Sequence, residues 1–268
     1  MESRDEHYLD TFLSPIRSCA RYVPKFGVGT AEAPVDLAAF KIFYGSDPLY
    51  SWIGLDSDLM YAAHKAAGGM TSIYRQVGIG CERLFRAIVQ DQLSLSSEDV
   101  LWGYDAPAAG ERSPRLTLDA RIELSAVRDS EARSRVSAWL KRSGKALRIV
   151  RERRDILCGA VFEVRQGYKS ADSKRQNADL RFGLMASAEN YLPVVLVFSN
   201  QISQVVAERY RSSSLMVLTG VLQDDDTLST YAFCDNVLQY SLAAFFKRNS
   251  KQLKTEVQTI LAQLLSGT

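Results

Sequence analysis

The chain has 268 residues, 46% of them hydrophobic and 24% charged, with a formal net charge of +2. That composition is ordinary for a globular protein large enough to bury a full core, so disulfide or metal staples are not required for folding. The near-neutral total gives no sign of a nucleic-acid partner by itself, although a local basic groove is compatible with it.

Taken in chain order, residues 6–22 carry Tyr8, Leu9, Phe12, Leu13 and Ile16 at helical spacing. Residues 34–44 and 57–67 read as two more helices, and Gly68-Gly69 reads as a break. A further helix follows, capped by Thr71 or Ser72 and carrying Ile73, Val77, Cys81, Leu84, Phe85, Ile88 and Val89. Residues 105–114, rich in Ala, Gly and Pro, read as a loop. Residues 116–124 alternate apolar and polar and predict a strand; 130–141 predict an amphipathic helix. Residues 154–168 read as a hairpin turning near Cys158-Gly159. A helix over 171–190, a buried strand over 193–198, a helix over 202–211 and a short strand over 215–218 come next. Two long helices, 227–246 and 251–265, close the chain. The order predicts an α/β fold, a mixed central β-sheet flanked by helices, preceded by a helical N-terminal part. We read one domain over 1–268: helical to about 104, sheet-bearing over about 115–220, and helical again over 227–266.

Several function classes lack their signatures. Cys19, Cys81, Cys158 and Cys234 are widely spaced with no CxxC pair, which reads as reduced, buried thiols in a cytoplasmic chain. The polar start Met1–Glu6 does not read as a signal peptide. The longest apolar runs, such as 192–198, fall far short of the ~20 residues that cross a bilayer, so no membrane partner is expected. His7 and His64 are the only histidines, and neither a GxSxG elbow nor a GxxxxGK[ST] loop is present. A zinc site is disfavoured for the same reason. His64, inside a predicted helix, reads as structural, and Trp52, Trp102 and Trp139 read as core or interface residues.

The most informative run is Lys169-Ser170-Ala171-Asp172-Ser173-Lys174-Arg175-Gln176-Asn177-Ala178-Asp179, between two apolar segments. Alternation along a strand places Glu163, Arg165, Gly167 and Lys169 on one side and Phe162, Val164 and Tyr168 on the other. A charged row on a sheet face needs partners or a task. Phosphodiester hydrolysis needs carboxylates to hold Mg²⁺, a cation beside the developing charge, and basic groups for the backbone. Asp155 and Asp179 can supply metal ligands, Lys169 the cation, and Lys174 and Arg175 the phosphate contacts. The plain alternative is a solvated turn and helix start, with Asp172 favouring the helix dipole. Arg209-Tyr210-Arg211 is a further phosphate candidate or a solvated helix end.

This run resembles the active-site segment of type II restriction endonucleases of the PD-(D/E)XK superfamily, most of all the branch cutting sites with a CCGG core. In that branch the acid two positions before the lysine is displaced onto the next helix. Gly167 stands at the vacated position and Asp179 at the displaced one, where the branch more often has Glu. The segment from Ser72 to Phe85, containing Arg75, Gln76 and Glu82, is similar to an N-terminal helix of the same branch. The resemblance implies DNA contacts from Arg75 and Gln76, a metal-assisting role for Glu82, and base or phosphate contacts from Asp172, Lys174, Arg175 and Asn177. Asp155 is the favoured first metal carboxylate, with Asp119 and Glu163 as rivals; Arg165 would be the partner of Glu163 in an E-x-K pattern. The implied activity is Mg²⁺-dependent cleavage of both strands of duplex DNA at a short palindrome, by a homodimer or a tetramer. The rival readings are a repair or mobile-element nuclease of the same superfamily and a non-catalytic DNA-binding module.

Overall fold

The structure is a computed structural model, and it describes residues 2–28, 31–105, 115–168 and 173–265. Its elements in chain order are α1 (Glu2–Arg17), a 3-10 turn (Ser18–Arg21), β1 (Lys25–Val28), β2 (Ala31–Pro34), α2 (Leu37–Gly45), α3 (Pro48–Trp52) and α4 (Asp58–Leu93). Then come β3 (Trp102–Asp105), β4 (Arg115–Leu118), β5 (Ala120–Glu123), α5 (Ser130–Ala146), α6 (Arg151–Asp155), β6 (Gly159–Arg165), α7 (Ser173–Ala188) and β7 (Tyr191–Val197). The chain ends with α8 (Gln204–Ser212), β8 (Met216–Leu218), α9 (Thr230–Asn236), α10 (Leu242–Arg248) and α11 (Ser250–Leu265). These form two compact units, one of Met1–Tyr8 with Cys81–Lys247 and one of Leu9–Gly80 with Arg248–Thr268. The division does not follow chain order: the helical N-terminal stretch contributes to both.

The first unit is α/β. Its four-stranded sheet runs β5-β6-β7-β8, with β5 antiparallel to β6 and the other two pairings parallel. Parallel pairing requires crossovers, and α7 and α8 supply them. All seven residues of β7 are buried, as expected of a strand covered on both faces. On one face Phe162 of β6 packs against Phe85 of α4 at 5.1 Å and Phe233 of α9 at 5.6 Å, with Trp139 of α5 stacked at 6.2 Å. On the other face Val161, Val195 and Val217 pack with Phe182 of α7 and Tyr210 of α8. A separate two-stranded ladder joins β3 and β4.

The second unit holds the β1–β2 hairpin, α2, α3, α11, and most of α1 and the first part of α4. Its apolar cluster is Val35, Phe40 and Tyr61. Arg17 is ion-paired to Glu256 at 2.7 Å, tying α1 to α11.

Four expectations from sequence are corrected. Gly68-Gly69 does not break a helix: α4 runs unbroken through both. A Cβ on Gly69 would stand 2.9 Å from the Leu264 side chain, so the missing side chain serves packing of α11. The 154–168 hairpin is absent; Arg151–Asp155 is a short helix and β6 begins at Gly159. Gly159 lies against the Ile122 carbonyl of β5, where no Cβ fits, so it is a close-approach glycine rather than a turn glycine. The strand over 116–124 is two strands, divided at Asp119. The helix over 227–246 is also two, because Gln239 takes a left-handed conformation (φ 57°) between α9 and α10. The predicted loop over 105–114 lies, beyond Asp105, outside the described residues.

Candidate functional site

At Asp119 the chain changes partners. The preceding β4 pairs with β3, and the following β5 pairs with β6. Ala120 lies opposite Phe162, so Asp119 falls beside Glu163 one step further on. Its carboxylate accepts a hydrogen bond from the Val164 N–H at 2.7 Å, and its own carbonyl accepts one from Arg86 Nε of α4 at 2.6 Å. Backbone and helix together fix this residue at the C-terminal end of β6.

Glu163 and Arg165, two apart on β6, project to the same side and are ion-paired at 2.5 Å. Arg165 also pairs with Asp179 at 3.1 Å, and both partners are largely buried. The Arg165 Nε–H has no acceptor among the described residues. Asp179 sits on α7 with Phe182 and Ala186, its buried face. Two hydroxyls hold its other oxygen, Tyr210 at 2.7 Å and Tyr168 at 3.2 Å, and the two tyrosines lie 2.7 Å apart. Burial pushes the Tyr210 phenol up, and its hydrogen bonds to Tyr168 and Asp179 push it the same way. Glu82 of α4 completes the group, within electrostatic reach of Asp119, Glu163 and Arg165.

The site is acidic and poorly solvated. Burial pushes Glu163 up to about 8; Arg165 opposes this, while Asp119, Asp179 and Glu82 add to it. Burial pushes Glu82 up to about 7, with the charge of Asp119 adding to it. Asp119 is also raised, again mainly by burial and against the Val164 hydrogen bond. Groups that change protonation near neutral pH inside a buried cluster are candidates for proton transfer.

Two of the favoured residues, Asp179 and Glu82, are therefore brought together with the two rivals Asp119 and Glu163. Asp155 is not. It ends α6 on the surface and pairs with Arg151 at 3.5 Å. It precedes the N-terminal end of β6, whereas Glu163 is four residues along the strand from Gly159, about 13 Å by strand rise. The hairpin that was to bring Asp155 across is absent, and the carboxylate that stands beside Glu163 is that of the rival Asp119. Lys169 and Asp172 lie outside the described residues. Lys174 and Arg175 are exposed on the first turn of α7. Asn177 is engaged within the fold: Arg209 donates to its amide oxygen at 3.1 Å and to that of Gln176 at 2.6 Å. Arg75 and Gln76 belong to the other unit, Arg75 exposed and Gln76 half-buried.

Tyr168 and Tyr210 were not legible as site residues. Strict alternation put Tyr168 on the opposite side, but β6 ends at Arg165 and the chain bends before Tyr168 bridges to Ile202. The one available signal for Tyr210 was a phenol between two arginines, which carries no direction.

Among the described residues no three Asp, Glu, His or Cys side chains stand as a ready metal-binding group. The Arg165 guanidinium lies among the carboxylates, paired with two of them. The donor set nonetheless suits a hard divalent cation, which takes carboxylate oxygens. The raised pKa values of three carboxyls mark a place where added positive charge would be favourable. Asp119 and Glu163, with Glu82, are the residues that would hold it. No family model, no curated protein and no solved structure matches this chain.

Proposed function

We propose that the protein is a Mg²⁺-dependent deoxyribonuclease of the type II restriction class, hydrolysing phosphodiester bonds in both strands of duplex DNA. The observation that carries this reading is the convergence of Asp119, just before β5, with the Glu163-Val164-Arg165 segment of the antiparallel β6, and with Glu82 from the neighbouring helix. This is the spacing of the superfamily's D…(D/E)-x-K signature, with arginine in the lysine position. The mixed sheet with helices on both faces agrees with that architecture.

A bound Mg²⁺ would supply positive charge against a non-bridging phosphate oxygen and make a bound water more acidic. The chain's own residues do the rest. Asp119 is oriented by the Val164 N–H. Glu163 and Glu82, raised toward neutrality by burial, would give up their protons to hold the cation. Arg165 supplies a fixed, always-charged group suited to phosphate oxygens and to developing negative charge. Tyr168 and Tyr210 hold Asp179, which in turn positions Arg165. Lys169 follows Arg165 by four residues and remains a candidate for the charge-stabilising role. Cutting both strands of a palindrome requires two such sites, which carries the expectation of a two-fold dimer.

The test is incubation with unmethylated phage DNA in Mg²⁺ or EDTA, using wild type, Glu163→Gln, Arg165→Ala and Lys169→Ala. Discrete fragments that need Mg²⁺ and Glu163 support a site-specific endonuclease, and their mapped ends give the site. A smear that needs both indicates a nuclease without a fixed palindrome. Binding without cutting by folded wild type overturns the catalytic reading.

A further inference from the structure

A second charged region lies at the other end of the same sheet. Seven Lys and Arg residues fall between positions 141 and 154, against the single acid Glu152, in a chain whose total is only +2. Arg142 is paired with Asp226 and Arg151 with Asp155. Lys141, Lys145, Arg148 and Arg153 are exposed and have no acidic partner among the described residues. The first three are spaced four and three apart along α5 and its C-terminal cap, which sets them on one side of the helix. Arg148 and Arg153 both line an open cavity of about 270 Å³, with Tyr191 and Asn190 at the start of β7 and no carboxylate in its wall.

The position of Arg148 is informative. Helix α5 ends in a Schellman cap: the Ile149 N–H bonds the Gly144 carbonyl at 2.9 Å, and the Arg148 N–H bonds that of Lys145 at 3.0 Å. The residue after such a cap is left-handed and is usually glycine. Arg148 takes it, with φ 57°. An arginine held in a backbone conformation that disfavours it, beside an unpaired second arginine, points to a use for its side chain.

We propose that Lys141, Lys145, Arg148 and Arg153 form a binding face for the phosphate backbone of a nucleic-acid duplex, with one phosphate seated in the cavity that Arg148 and Arg153 line. Seven residues of helix rise about 10 Å, close to the axial span of four successive phosphates on one strand. The guanidinium fork of each arginine matches phosphate oxygens. Along β6 the carboxylates stand about 13 Å from the strand end that this face adjoins, so it holds DNA away from the point of chemistry. It is independent of the catalytic reading, because binding here needs neither metal nor cleavage.

The experiment is fluorescence anisotropy of a labelled duplex of about 30 base pairs, in EDTA, between about 50 and 200 mM NaCl. Wild type is compared with the fourfold variant Lys141→Gln, Lys145→Gln, Arg148→Gln, Arg153→Gln and with Glu163→Gln, all checked by thermal melts. Four phosphate contacts contribute a log–log salt slope of about −3.6. The fourfold variant is expected to bind at least about tenfold more weakly at the lowest salt and to lose roughly that much slope, whereas Glu163→Gln retains both. Unchanged affinity and slope in the fourfold variant would overturn the proposal. So would absence of binding by wild type, or displacement of the duplex by polyglutamate as readily as by unlabelled duplex.

Discussion

The two ends of one β-sheet carry opposite charge and treat it oppositely. At the C-terminal end of β6, Glu82, Asp119, Glu163 and Asp179 are drawn out of water around Arg165, and Arg165 is paired twice. At the N-terminal end, Lys141, Lys145, Arg148 and Arg153 stand in solvent without acidic partners among the described residues. Buried charges must be matched within the fold, and mismatch appears as altered protonation; exposed charges cost little and keep their ordinary state. The first arrangement suits chemistry, the second suits attraction of a polyanion. The same difference sets what each end should do when a residue is removed.

The largest contrast is expected in cleavage. Asp119→Asn or Glu163→Gln should lower the rate of Mg²⁺-dependent plasmid nicking by about 10⁴-fold, about 5 kcal/mol of transition-state stabilisation. The fourfold change at the basic end, assayed at saturating protein, should leave the rate within about threefold, since it touches no reacting atom. Equal losses at both ends would erase the distinction between a reactive and a holding surface.

Arg165→Ala is the next largest effect, and it is on stability. It leaves Glu163 and Asp179 buried without their cation, and loss of one partner of such a pair costs about 3–5 kcal/mol. Denaturant unfolding at pH 8 measures it. Adding Glu163→Gln to Arg165→Ala should recover part of the loss, because one of the stranded charges is then gone. No equivalent penalty is expected for Arg153→Ala, whose charge is solvated in both states.

Protonation sharpens the same point. Glu163 titrates at about 8 and Glu82 at about 7 in the fold, against about 4.3 for an unfolded glutamate. Between those values the folded state binds more protons than the unfolded state, so stability falls as pH rises. The contribution is fully present below about pH 4.3 and is lost as pH passes 7 to 8. Glu163→Gln should therefore flatten the stability profile between pH 6 and 9. It should also be more stable than wild type at pH 9 by about 1 kcal/mol or more, since a tenfold difference in proton affinity between folded and unfolded chains is worth about 1.4 kcal/mol. A wild-type profile that rises over this range would contradict the charge balance described for the acidic end.

How much of this was legible in the sequence follows from the range of the forces involved. The apolar periodicities of α5, α7, α8, β7 and α11 are local, and their positions were read to within a few residues. Glu163 and Arg165 could be assigned to one polar strand face because alternation is also local. Asp119 could be named as a candidate, but its priority over Asp155 depended on which strand pairs with β6. That pairing joins residues 45 apart in sequence, Asp119 to Val164, and no local pattern encodes it. The mistaken hairpin came from reading Gly159 as a turn, when its lack of a side chain serves the approach of β5. Gly69 was misread for the same reason. The tyrosines around Asp179 depend on a bend after Arg165, where strand periodicity no longer applies. The basic run over 141–154 drew no reading from the sequence, and only the helix cap and the cavity show that Arg148 and Arg153 share one place.

The smallest predicted effect separates the demands on the basic end itself. Arg148 occupies a left-handed position at which glycine is preferred, a difference of about 1 kcal/mol for a residue with a Cβ. Replacing it with glycine keeps both capping hydrogen bonds, which come from the backbone, and the side chain has no acidic partner among the described residues to lose. Arg148→Gly should therefore raise the free energy of unfolding by only about half a kcal/mol, once the added freedom of the unfolded chain is subtracted. The same change should weaken duplex binding in EDTA by a few-fold and reduce the salt slope by about one. Gain in stability with loss of binding is the combination expected where a residue is kept against its own backbone preference for the sake of its side chain. A variant that gains stability and binds as before would leave Arg148 without that explanation and confine the binding face to the lysines and Arg153.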